Sequence, residues 1–430
     1  MLSYTFISGK NWILSLAELS SYFQTRKINF AIQYFSREFF VINFEQKLDT
    51  SIIADLGGTI KIGEIKTSLA TQIIKDAFGE KNKKAQQQIS EKIASSEAAD
   101  SISNSAEKPF FGVSVYCTNN YLKSSLGKIQ RFVGRAVKER LAELGKKSQF
   151  MGFRDKKHVQ LSQVEVIKKE LVEKLSEVLF CIGKNETWIA TTVAVHNPFD
   201  FQKRDIYKPN QRAIFGMPPR LARIMVNLAA CSAGKTLLDS FCGVGTILQE
   251  ALLEGAAVVG IDVNSWCVKA ANENLGWIVQ EYELNNSDFR VIQGDINRLA
   301  EKVGLETIDC IVSEPDLGPA LKQFPTEPYA LKIIEKLEPL FNDFIEQAYR
   351  VLKPNSRLVL ATPFIKTRSG QTIIMPIDEL LRNVGFKRVY VFSNELFGEG
   401  LDVGRLVNTA SLIEMDERHK VGREIHILQK

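Results

Sequence analysis

Residues 235–262, KTLLDSFCGVGTILQEALLEGAAVVGID, constrain the fold more tightly than any other stretch of this 430-residue chain. Lys235 to Phe241 reads as a short buried strand carrying the carboxylate of Asp239. Cys242-Gly243-Val244-Gly245-Thr246 is a tight turn, and Ile247 to Glu254 is helical with Gly255 as its stop. Val258 to Asp262 is a second buried strand, again with an acid at its carboxyl end. Strand, glycine turn, helix and strand form the first unit of a parallel α/β sheet, which binds ligands at the carboxyl ends of its strands.

The turn discriminates between ligands. A dinucleotide fingerprint needs a third glycine for close helix–strand packing, and Leu248 stands in that place. Asp239 lies immediately before the turn, where it would repel a pyrophosphate and suit a cation. S-adenosylmethionine carries an ammonium and a sulfonium and no phosphate, so it is the expected cofactor, with a nicotinamide enzyme as the competing reading. Asp262, nineteen residues after Gly243, is placed to accept from both ribose hydroxyls. A third strand, Val291 to Ile296, ends in Asp295, which can accept from an adenine amino group while Ile296 packs on the ring. The expected cofactor set is therefore Asp239, Cys242, Gly243, Gly245, Thr246, Asp262, Val263, Asp295 and Ile296.

A chain of this length holds two or three domains. Hydrophobic content of 45% and charged content of 24% are those of an ordinary globular protein. Cys117, Cys181, Cys231, Cys242, Cys267 and Cys310 include no C-x-x-C pair, which predicts a reduced, cytoplasmic chain without disulfides or zinc. His158, His419 and His426 show no metal-like spacing, and His196 reads as an interdomain hydrogen-bond residue. No apolar run approaches a membrane span, and a monomer is the default expectation.

The net charge is only +5, so a nucleic-acid signal must come from clustering. Between Lys123 and Lys157 stand eleven Lys and Arg residues against three acids, a net +8. Lys128, Arg131, Arg135 and Lys138 step by three, four and three, which makes one stripe of a helix; Ile129, Val133, Ala136 and Val137 line the opposite face. Arg154, Lys156 and Lys157 extend the patch, which predicts polyanion binding. Upstream, residues 1–70 alternate short β-like runs, including Thr59–Ile62, with one helix, a small α+β unit. Residues 71–109 are poor in aromatics and read as a linker, an exposed helix or disorder. Residues 110–196 carry the basic region, a helix over Val164–Val178 and a closing hairpin. Residues 197–215 are a polar connector, and 216–430 alternate strand and helix as a doubly wound Rossmann-like sheet.

After the fourth strand of that sheet comes Ser313-Glu314-Pro315-Asp316-Leu317-Gly318. An exocyclic base amine is a poor nucleophile because its lone pair is delocalised. Glu314, with the Pro315 carbonyl, could hold both N–H groups and aim the lone pair at a sulfonium methyl, and Glu314 or Asp316 could receive the proton. The alternative reading of Glu-Pro-Asp is turn chemistry alone.

Together these segments resemble the THUMP-containing tRNA guanine-N2 methyltransferases of archaea and eukaryotes. The resemblance rests on FQKRDIYKP and GMPPRLARIMVNLA in the connector, DSFCGVGT, and a VGREI tail. It implies a ferredoxin-like unit over 1–70, a THUMP domain over 110–196 and transfer of methyl from S-adenosylmethionine to a guanine N2 of tRNA. The family motif, Asp or Asn-Pro-Pro-aromatic, appears as Glu314-Pro315-Asp316-Leu317. Leu317 removes an aromatic platform where stacking is worth roughly 1–3 kcal/mol, and Phe364 is one candidate to replace it. The departure leaves two alternatives: an RNA-binding protein without activity, or an amino-methyltransferase for another RNA or base.

Overall fold

A computed structural model describes the chain except residues 106, 152–158, 213–215, 286, 383 and 417–418. Among the described residues, eight strands form one N-terminal sheet: β1 (Leu2–Ser8), β2 (Phe30–Phe35), β3 (Phe39–Phe44), β4 (Thr59–Ala70), β5 (Phe110–Cys117), β6 (Gln149–Phe150), β7 (Glu177–Ile182) and β8 (Glu186–Val195). Their order is β2-β3-β1-β4-β8-β7-β5-β6. The strand expected over Thr59–Ile62 runs on to Ala70, because β4 pairs with β1 on one edge and along its length with β8 on the other. That strand fuses the first unit and the basic region into one continuous sheet. Lys61 on β4 and Glu177 on β7 form a fully buried ion pair, satisfied further by Leu161 O, Ser114 Oγ and Thr192 Oγ1.

Two expectations need correction here. The segment read as a linker, an exposed helix or disorder is helical over Lys83–Ala94 and Glu97–Ser105, but with one face buried. Ala85, Ile89, Ile93, Ala98 and Ile102 make an apolar stripe that packs with Ile129, Val133 and Val137. The helix expected over Val164–Val178 ends at Lys168; Glu170 and Leu175 take positive φ (54° and 46°), and Glu177 already belongs to β7.

The C-terminal sheet contains β9 (Thr236–Asp239), β10 (Ala257–Asp262), β11 (Phe289–Gln293), β12 (Ile308–Ser313), β13 (Leu352–Lys366), β14 (Thr372–Ile374), β15 (Lys387–Arg388), β16 (Leu412–Glu414) and β17 (Val421–Gln429). Its main order is β11-β10-β9-β12-β13-β17-β15, parallel through β13, with β17 antiparallel. This is the Rossmann-like α/β sheet expected from the sequence. The strand order reverses between β9 and β12, so the ligand crevice lies at their carboxyl ends.

Helices Trp12–Thr25 and Pro219–Leu228 join the two sheets in a common core containing Phe6, Leu16, Ala222, Leu237 and Ile427. Glu18, wholly buried, accepts from Gly57 N, Gly58 N and Asn227 Nδ2 at 2.7, 2.7 and 2.8 Å. Burial nevertheless pushes its pKa up to about 7. His196 makes no side-chain hydrogen bond among the described residues. It stacks on Phe201 at 4.7 Å, and burial lowers its pKa to about 3, so its role is packing rather than the expected hydrogen bonding. All six cysteines are free and buried.

Candidate active site

The crevice at the β9/β12 switch point is a cavity of about 960 Å³. Asp239 at the end of β9 is 1% exposed. Its Oδ1 accepts from Ser313 Oγ (3.1 Å), at the end of β12, and from Phe241 N (3.2 Å). Burial raises its pKa to about 7 despite these donors, with Asp262 and Glu314 adding like-charge repulsion. A cation seated there would recover the lost solvation of the carboxylate.

The glycine turn is built by backbone geometry. Gly243 and Gly245 take φ of +53° and +85°, and Gly245 caps helix Thr246–Leu253. Asp262 at the end of β10 accepts from Gly243 N (2.9 Å) and Asn264 N (2.8 Å), which fixes the turn against the next strand. Leu248 is buried against Gly260, where a Cβ would come within 2.6 Å of its Cδ1. The close helix–strand approach thus uses a glycine on the strand, with the leucine on the helix.

Of the expected cofactor residues, Asp239, Cys242, Gly243, Thr246, Asp262 and Val263 line this cavity. Gly245 shapes the turn from behind. Asp295 and Ile296 do not line it: Asp295 is exposed and accepts from Asn297 N (2.9 Å), and Ile296 is buried beside Leu299.

Glu314, Pro315, Asp316 and Leu317 line the same cavity. Asp316 accepts from Gly318 N (2.9 Å), a turn contact. Glu314 is gripped by Arg423 of β17, whose Nη2 lies 3.2 Å from Oε1 while Nε donates to Oε2. Arg423 Nη1 also reaches Glu414 at 3.1 Å. A carboxylate has about four acceptor positions; the guanidinium fork takes two and leaves two for further donors. Phe364 lies within β13, between β14 and β17, and does not line the cavity.

Several residues here escaped the sequence. Arg423 sat in the VGREI tail without a role. Arg212 also lines the cavity, its Nη1 3.8 Å from where a Cβ on Gly243 would stand. Buried Lys208 donates to Thr246 Oγ1 (3.0 Å), and Arg204 and Arg223 both pair with Glu250, anchoring the helix behind the turn. For Arg204, Lys208 and Arg212 the signal was a cluster of cations in the connector.

The basic stripe lies on helix Leu126–Glu143. Lys128, Arg131, Arg135 and Lys138 are exposed and form no ion pair among the described residues, while Ile129, Val133 and Val137 are buried. Arg154, Lys156 and Lys157 lie outside the described residues. Among the described residues, no His/Cys/Asp/Glu group could hold a metal, and no helix is long and apolar enough to cross a membrane.

This strand order, with acids at the switch point, defines a Rossmann-like methyltransferase domain, and residues 231–382 match the family model described as a methyltransferase domain. The relatives narrow the comparison. A tRNA (guanine(10)-N2)-dimethyltransferase of Methanothermobacter thermautotrophicus is 38% identical over 161 residues, 36% of this chain and 42% of that protein. Its namesake from Pyrococcus abyssi is 30% identical over 207 residues, 48% of this chain and 55% of that protein. The chain spans about half the length of the curated relatives it matches. The solved structure of TrmN from Thermus thermophilus covers 100% of both chains with a TM-score of 0.53 at 16% identity, a likeness of fold.

Proposed function

We propose that this protein is an S-adenosylmethionine-dependent methyltransferase that transfers methyl to the exocyclic N2 of a guanine in tRNA. The observation that carries the reading is the juxtaposition, in one cavity, of the buried Asp239 beside the glycine turn and the Glu314-Pro315 loop. Asp239 suits the donor's ammonium, and Asp262 suits its ribose. Glu314, held by Arg423, accepts from the guanine amine, orients its lone pair and takes the proton released on transfer. The names of the relatives support tRNA guanine N2 as the target.

The N-terminal region, ferredoxin-like over 1–70 and THUMP-type over 110–196, would grip the RNA through the Lys128–Lys138 stripe, and 216–430 would act on a base turned out of its stack. Incubating the protein with tRNA and a methyl-labelled donor, followed by mass spectrometry of nucleosides, tests this. Label in N2-methylguanosine supports the reading, and label on another atom reassigns the target. Glu314→Ala should keep donor affinity and stop transfer.

A further inference from the structure

Helix Glu327–Val351 begins shortly after the Glu314–Gly318 loop. Its first turns set Tyr329, Lys332, Ile333 and Lys336 on one face, at spacings of three, four and seven. All four line the cavity that holds Asp239 and Glu314. Ile333 is buried and carries the packing, and the other three face the opening. Tyr329 is 50% exposed and makes no ring contact among the described residues. Lys332 and Lys336 are exposed and form no ion pair among the described residues.

Among the described residues, the rest of the cleft offers no comparable ring. Leu317 stands where a stacking aromatic is missing, and the Phe241 ring is engaged edge-on by Phe344 at 5.2 Å. An unoccupied aromatic face beside two free cations is the arrangement that receives unpaired nucleotides: the ring takes a base, and the ammonium groups take phosphates. The acids of the cleft lie elsewhere, at the strand ends and on the Glu314 loop, with Arg423 and Arg212 beside them, so Lys332 and Lys336 are the cations of this helix face that remain for a polyanion.

We propose that Tyr329, Lys332 and Lys336 form a nucleotide subsite in which Tyr329 stacks on the extruded base and the two lysines hold its flanking phosphates. This rests on the RNA-methylation reading and assigns the base-stacking role that Leu317 cannot fill. Three quantities test it in the wild type, Tyr329→Ala, Tyr329→Phe and the double variant Lys332→Ala/Lys336→Ala. They are donor affinity by calorimetry, affinity for a fluorescent single-stranded RNA hexamer containing guanine, and KM and kcat for transfer to tRNA. Donor affinity should be unchanged throughout. Tyr329→Ala should weaken the hexamer about tenfold or more, and Tyr329→Phe should restore it. The double lysine variant should reduce the salt slope of hexamer binding by about 1.4, two contacts' worth for a single strand. Hexamer affinity unchanged in Tyr329→Ala, or an equal loss of donor affinity, overturns the subsite. If the wild type transfers methyl to tRNA while Tyr329→Ala keeps wild-type affinity and KM, the subsite alone falls. If the wild type neither binds nor methylates RNA, subsite and RNA methylation fall together.

Discussion

Glu314 and Arg423 meet in the cleft across 109 residues of sequence, the guanidinium fork closing on both carboxylate oxygens and continuing to Glu414. Both side chains are close to nine-tenths buried, so truncating one leaves a poorly solvated charge behind. Arg423→Ala should destabilise the fold by about 3–5 kcal/mol, the cost typical of breaking a buried pair. Arg423→Lys, a point charge without the planar fork, should fall between. Urea unfolding gives the first quantity. With donor affinity retained, methyl transfer should drop by about 10²-fold or more, because the carboxylate is no longer aimed. Full-rate transfer by Arg423→Ala would remove the pair from the chemistry.

Asp239 should make donor binding depend on pH. Its pKa of about 7 reflects burial first, so the carboxyl is largely protonated at pH 6. A cationic donor prefers the ionised form and displaces that proton. Affinity should therefore rise about tenfold per unit as pH increases toward 7, then level off near pH 8. Stability measured without added donor has the opposite sign. A carboxyl with a raised folded pKa stabilises the fold below its unfolded value near 3.8, and that contribution is lost as pH rises through 7. Calorimetry between pH 5.5 and 8.5 reads the first effect, and Asp239→Asn should flatten it.

The exposed stripe on helix Leu126–Glu143 should act through phosphates alone. Arg131→Glu with Arg135→Glu should weaken tRNA binding and reduce the slope of log affinity against log salt by about one per lost contact. Filter binding at several salt concentrations measures this, and an unchanged slope would move the RNA surface elsewhere. The fold should be untouched, since both side chains are exposed and unpaired among the described residues.

Lys61 and Glu177 are 0% exposed and join β4 to β7 within the N-terminal sheet. Lys61→Met should cost about 3–5 kcal/mol, because Glu177 would then keep an uncompensated charge. Denaturant unfolding checks it; a loss below 1 kcal/mol would mean that Ser114 and Thr192 suffice to hold the carboxylate.

Local signals were legible in the chain and distant partnerships were not. Asp239 and Asp262 could be placed at strand ends because an apolar run, an acid and a glycine turn occupy a few consecutive residues. The stripe from Lys128 to Lys138 was readable for the same reason, since helical periodicity is written into spacing. Arg423 was invisible because its partner Glu314 comes from a loop far away in sequence. Tyr329 was passed over because its exposure depends on how its helix packs. Ala85, Ile89 and Ile93 did carry a signal, a four-residue apolar spacing, but the polar composition around them masked it.

Calorimetric titration of S-adenosylmethionine into the purified protein at pH 8 decides whether this cleft holds a positively charged methyl donor. One donor should bind per chain, and Asp262→Ala should abolish the signal while Glu314→Ala leaves it intact. No heat of binding in the wild type at millimolar donor would contradict the account.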